Sequence, residues 1–139
     1  MIVKHKFINF ENSKDIEILI LGTFNPDTSN NEAEFFYGRT RNFLWNLLPK
    51  VYGYNGLKYS SIEEKLDFIK QNKIGFIDLI AEIQVDEGQE KNYSDSFIDS
   101  KVIRWNNIIN LIDKSKYLKN IYLTRKTFTD IPEMKKKLI

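Results

Sequence analysis

Apolar and polar positions change period several times along the chain. The run IEILILGTF, with a strand predicted over Ile18 to Phe24, is short, β-branched and closed by Gly22, the pattern of a strand buried on both faces. From Asn42 to Leu48 the period becomes helical, with Phe43, Leu44, Leu47 and Leu48 recurring on one side. Ser61-Ile62-Glu63-Glu64 is a capping box, and Ile62, Leu66 and Ile69 then share a face. KIGFIDLI reads as a second strand, Trp105, Ile108, Ile109 and Ile112 as an amphipathic helix, and NIYLTR as a third strand. Lys126 to Ile139 predicts a closing helix with Thr129 as cap and Pro132 in its first turn. Strands alternating with helices predict one α/β domain over 1–139, a three-layer αβα arrangement around a short, mainly parallel sheet.

In such folds ligands bind beyond the carboxyl ends of the strands. The segment LGTFNPDTSNNEAEFFYGRTRNFLW lies there, after the first central strand, and it is far longer than the two to six residues of an ordinary connection. Its Asn, Pro, Asp, Tyr, Gly and Arg residues mark it as the candidate site. The local alternative is a βα turn capped by Asn25 or Asp27. It contains neither a phosphate-binding G-x-x-x-x-G-K-[ST] loop nor a dinucleotide-binding G-x-G-x-x-G.

Composition narrows the chemistry. At 139 residues and 42 % apolar content the chain suits one folded domain. No apolar run approaches the roughly 18 residues of a membrane span, and MIVKHKFINF lacks a signal-peptide pattern, so a soluble cytoplasmic chain without a membrane partner is expected. Absence of cysteine excludes disulfides, thiol catalysis, cysteine–zinc sites and iron–sulfur clusters. His5 is the only histidine, which leaves no His-rich metal site, and no metal or cofactor is expected. Chemistry must therefore come from carboxylates, amides, hydroxyls, Lys/Arg or backbone dipoles. Residues 101–139 carry ten Lys/Arg against three Asp/Glu, whereas residues 1–100 carry eleven against sixteen. The basic third suits either a phosphate backbone or a solvated helix face ending in Lys135, Lys136 and Lys137.

The loop also resembles motif 1 of the uracil-DNA glycosylase superfamily. In the mismatch-specific uracil/thymine branch a strand leads to G-I-N-P-G and, after a loop, to N-x-F-W at a helix start. Here the counterparts are Gly22-Thr23-Phe24-Asn25-Pro26-Asp27 and Asn42-Phe43-Leu44-Trp45. The hypoxanthine-type branch is similar in Leu21-Gly22-Thr23, in Phe36-Tyr37 and in Arg41-Asn42 before an aromatic and Trp45. The specific resemblance covers about 25 residues, and the order of strands and helices, with FIDLI where the family often has Trp-Asp, extends it loosely.

That resemblance implies a monomeric DNA base-excision glycosylase that removes a deaminated base, uracil or hypoxanthine, from DNA without a cofactor. Such an enzyme extrudes the base, stacks it, reads its edge and places a water at the anomeric carbon. It implies Asn25 as the residue positioning that water, with Asn42 as the alternative from the hypoxanthine-type branch. Gly22, Thr23, Phe24 and Tyr37 would hold the base, and Arg39 and Arg41 would meet DNA phosphates. Structural readings stand beside these: Asn42 as a helix-start residue, Phe24 and Trp45 as core, Asp78 as a cap, and Ser94-Asp95-Ser96 as a helix-start signal. The family's second motif, a His- or Ser/Pro-rich loop after the last strand, has no counterpart before Ile139. The expectation is thus a chain truncated relative to the family or a divergent member. In the alternative reading the fold is a catalytically inactive nucleic-acid- or nucleotide-binding module.

Overall fold

A computed structural model describes residues 1–138. Its elements run β1 (Ile2–Lys4), β2 (Ile18–Gly22), α1 (Leu44–Val51), α2 (Ile62–Gln71), β3 (Ile74–Asp78), β4 (Ile80–Gln84), a short 3-10 turn (Gln89–Lys91), α3 (Asp95–Asp99), β5 (Val102–Trp105), α4 (Ile108–Lys114), β6 (Asn120–Leu123) and α5 (Pro132–Lys137). No helix is long and apolar enough to cross a membrane among the described residues.

The chain is α/β, with strands and helices interspersed, but the expectation of a mainly parallel sheet is corrected. Strands β3, β2 and β6 form a parallel sheet in that order, while β1, β4 and β5 pair antiparallel. The chain passes from one set to the other through Leu79 alone, whose N–H donates to the Gly22 carbonyl at 2.9 Å. Ile80 follows with a bond to the Thr23 carbonyl at 3.1 Å. KIGFIDLI thus holds the whole of one strand and the beginning of another. The antiparallel half escaped the periodicity because β1 has three residues and β5, VIRW, ends on the tryptophan assigned above to a helix.

Both faces of β2 are covered, which explains its unbroken apolar run. Ile20 joins Phe35, Phe36, Trp45, Phe68, Ile69, Ile74 and Phe76 on the side of α1 and α2. Leu21 joins Val3, Ile80, Ile98, Ile131 and Met134 on the side of α3 and α5. Trp45 is buried in the first cluster and donates from its indole N–H to the Phe36 carbonyl at 2.7 Å, so its structural reading holds.

The helix ends are set by side chains. Ser61 accepts the Glu64 N–H at 3.2 Å, as the capping box requires. Pro49 lies inside α1 and has no N–H for the Trp45 carbonyl; that carbonyl instead accepts Leu57 N–H at 2.7 Å, tying the following loop to the helix. The closing helix spans only Pro132–Lys137, and Thr129 does not cap it. Its first N–H groups go to the buried Asp99 carboxylate, Glu133 at 2.9 Å and Met134 at 2.7 Å. A carboxylate distant in sequence therefore supplies the cap that the local residues do not. The predicted helix end at Ile139 lies outside the described residues.

Candidate functional site

At the carboxyl ends of β2, β3 and β6 lies a cavity of about 240 Å³, lined in part by Thr23, Phe24, Asn25, Tyr37, Arg39 and Asn42. Six of the eight residues singled out in the sequence thus share one cavity. Gly22 lies beneath them: a Cβ there would collide with Asp78 Oδ1 and the Tyr37 hydroxyl, so only glycine leaves room for both. Arg41 is exposed and is not part of the lining.

The orientation of Asn25 follows from a chain of hydrogen bonds. Ala33 N–H is an unambiguous donor and meets Asn31 Oδ1 at 3.1 Å. The Asn31 amide nitrogen must then be the donor on its other side, to the Pro26 carbonyl at 2.8 Å and to Asn25 Oδ1. Asn25 is buried with its carbonyl oxygen already engaged, and its amide N–H groups are the ones left for a ligand. The strand-like bridge from His5 to Pro26 and the bond from Lys6 N–H to the Asn25 carbonyl, 2.8 Å, hold this segment against the amino terminus. Asn42 is similarly committed. Its Oδ1 accepts Leu44 N–H at 2.9 Å at the start of α1, which is the structural role read above.

Two carboxylates that sequence reasoning assigned to capping stand in the cavity wall. Asp78, at the end of β3, is buried and accepts from His5 Nε2 at 2.6 Å. His5 Nδ1 takes the Phe7 N–H at 3.0 Å, so the ring proton sits on Nε2 and points at Asp78. The imidazole is wedged among Phe7, Phe24 and Phe36, with ring centroids 5.3 to 6.1 Å away. Asp78 Oδ1 and the Tyr37 hydroxyl both stand against Gly22. Asp95, at the start of α3, accepts from Thr23 Oγ1 at 3.0 Å and faces Arg125 Nη1 at 3.4 Å. Burial pushes the Asp95 carboxyl above the ordinary carboxylate range, against the opposing pull of Thr23 and Arg125. Arg125 is held in turn by Asp130 through two bonds of 3.0 Å.

Tyr37 is the strained member of the site. Its φ of +57° is rare for a bulky residue and turns the ring across the β2 end. Burial, then the Asp78 carboxylate, raises its phenol above the range of an ordinary tyrosine, so it stays a donor, here to Thr124 Oγ1 at 3.4 Å. Arg39 stacks over the Tyr93 ring, 4.8 Å from its centroid.

Sequence reading missed His5, Phe36, Tyr93, Thr124 and Arg125 as members of this site. Thr124 and Arg125 carried a usable signal, since they follow the apolar run NIYL at the carboxyl end of a strand. Asp78 carried another, a lone carboxylate interrupting an apolar strand. His5 carried none, because its role depends on β1 folding back beside β4. The assembled wall offers amide and phenol donors, two carboxylates and aromatic faces around a space below the roughly 300–1,000 Å³ of drug-sized pockets. No family model, curated protein or solved structure matches the chain.

Proposed function

We propose that the protein is a DNA base-excision glycosylase that hydrolyses the N-glycosidic bond of a deaminated base, uracil or hypoxanthine. The observation that carries this reading is one small cavity in which Asn25 amide donors, the Asp78 and Asp95 carboxylates, and the rings of Phe24, Phe36 and Tyr37 converge at the strand ends. Support also comes from the motif 1 resemblance, whose residues make up half of the lining.

In the reaction, water adds to the anomeric carbon as the C–N bond breaks, and the bonding pair departs on the base. Asn25, with free N–H groups, suits a base carbonyl on which negative charge develops. The Asn25 and Asn42 oxygens each have one partner already, whereas Asp78 Oδ1 has no hydrogen-bond partner among the described residues. In this reading Asp78 therefore holds the water and takes its proton, and His5 is the residue that positions Asp78. Phe24, Phe36 and Tyr37 supply apolar faces for the extruded base. A non-catalytic base-binding module is the second reading, and the engaged Asn25 oxygen favours it.

The test is single-turnover base release from oligonucleotides bearing uracil, hypoxanthine or a G·T mismatch. Release by the native chain, lowered roughly 100-fold or more in Asp78→Asn and in Asn25→Ala, is the expected result. A folded chain that releases no base from any of the three is not a glycosylase for these bases.

A further inference from the structure

Beside the cavity lies a surface that the proposed chemistry does not use. Residues 35–62 contain no Asp or Glu, yet they carry four Lys/Arg and eight aromatic residues. Most of those rings are in the core, but Phe43 is 61 % and Tyr59 91 % exposed. Both face one cation: Lys58 Nζ lies 4.2 Å from the Phe43 centroid and 5.9 Å from that of Tyr59. Lys58 is also tied to the cavity rim through the Thr40 carbonyl at 2.6 Å, and Phe43 directly follows Asn42 in the cavity wall. Exposed Arg41 stands on the same loop, and neither Arg41 nor Lys58 has a salt-bridge partner among the described residues.

We infer that this rim binds single-stranded DNA, with Phe43 and Tyr59 stacking the bases that flank the one in the cavity and Arg41 and Lys58 meeting the phosphates. The inference rests on the base-binding reading of the cavity and extends it to the form of the substrate. Three features point to a single strand. The Phe43 and Tyr59 rings lie outside both core clusters and are open to solvent. Aromatic faces interleaved with unpaired cations are the arrangement that takes unstacked bases along a backbone. Paired bases in a duplex keep their faces hidden and would leave both rings idle. No carboxylate within residues 35–62 opposes the four cations, and the Glu32 carboxylate that reaches this loop is held by the Thr40 N–H at 3.3 Å and hydroxyl at 2.8 Å, which leaves a net positive rim for phosphate.

The experiment is fluorescence anisotropy with a labelled oligodeoxythymidine of about 15 nucleotides, free and annealed to oligodeoxyadenosine. The native chain is expected to bind the single strand more tightly than the duplex. Phe43→Ala and Tyr59→Ala should each weaken single-strand binding about five-fold or more. Arg41→Ala with Lys58→Ala should reduce the salt slope of log K by roughly 1.4. Tyr59 is almost fully exposed, so Tyr59→Ala keeps the test valid even if Phe43→Ala perturbs the start of α1. The inference is overturned if the native chain fails to bind the single strand at low salt, binds the duplex at least as tightly, or loses less than about two-fold in Tyr59→Ala. Base release is scored separately. Release without any effect of the rings sinks the rim and spares the glycosylase; ring-dependent binding without release does the reverse.

Discussion

Removing the bond between His5 and Asp78 should destabilise the fold by more than any of the surface-exposed ion pairs could, and the size can be worked out. The side chains are 2 % and 7 % exposed and 2.6 Å apart, joined across 73 residues of sequence. Asp78→Ala removes a hydrogen bond to a charged group and leaves the His5 N–H buried without an acceptor, at a cost of about 3 kcal/mol. His5→Phe keeps the ring among Phe7, Phe24 and Phe36 but strands the carboxylate, at a cost of about 3–5 kcal/mol. The double variant has neither orphan, so the two losses should fail to add by about 2 kcal/mol. Urea unfolding followed by the fluorescence of buried Trp45 reads this directly. For a urea slope of about 1.5 kcal/mol per molar, the coupling is a midpoint discrepancy of about 1.3 M. Losses that add to within about 0.5 kcal/mol would mean the pair is not coupled, and the positioning role given to His5 would go with it.

Other consequences are simpler. Gly22→Ala should cost about 1–3 kcal/mol through forced movement of Asp78 and Tyr37, with base release lost well below the melting temperature; an unchanged rate would refute the close approach. Asp99→Ala removes the cap of α5 from a distance and should cost about 2–4 kcal/mol in a denaturant titration, with hydrogen exchange faster at Glu133 and Met134. Asp95→Asn should be more stable than the native chain at neutral pH. Its folded-state carboxyl is raised, so the charged form opposes folding above that value, and the difference should vanish below the ordinary carboxylate range. A constant difference across pH 3 to 8 by thermal melting would contradict the burial of its charge.

Local signals in the sequence carried several elements faithfully. β2 was legible because β-branched apolar residues in a short run with a closing glycine have few alternatives, and α2 because a capping box is a self-contained set of bonds. The loop after β2 stood out because its residues are chemically costly to place in a plain turn, and six of its named residues line one cavity. What the sequence left open depended on partners far along the chain. The sheet is half antiparallel because Leu79 lets one apolar run serve two sheets, and no local period marks that transfer. Helix α5 starts where it does because Asp99, more than thirty residues earlier, accepts its free N–H groups. The orientation of Asn25 is decided by Ala33 through Asn31, and that of Asp78 by His5. Sequence determines which groups are present and which short segments hold a period. Tertiary structure alone determines which donor is already spent, because burial forces each polar group to find a partner and leaves only the remainder for chemistry.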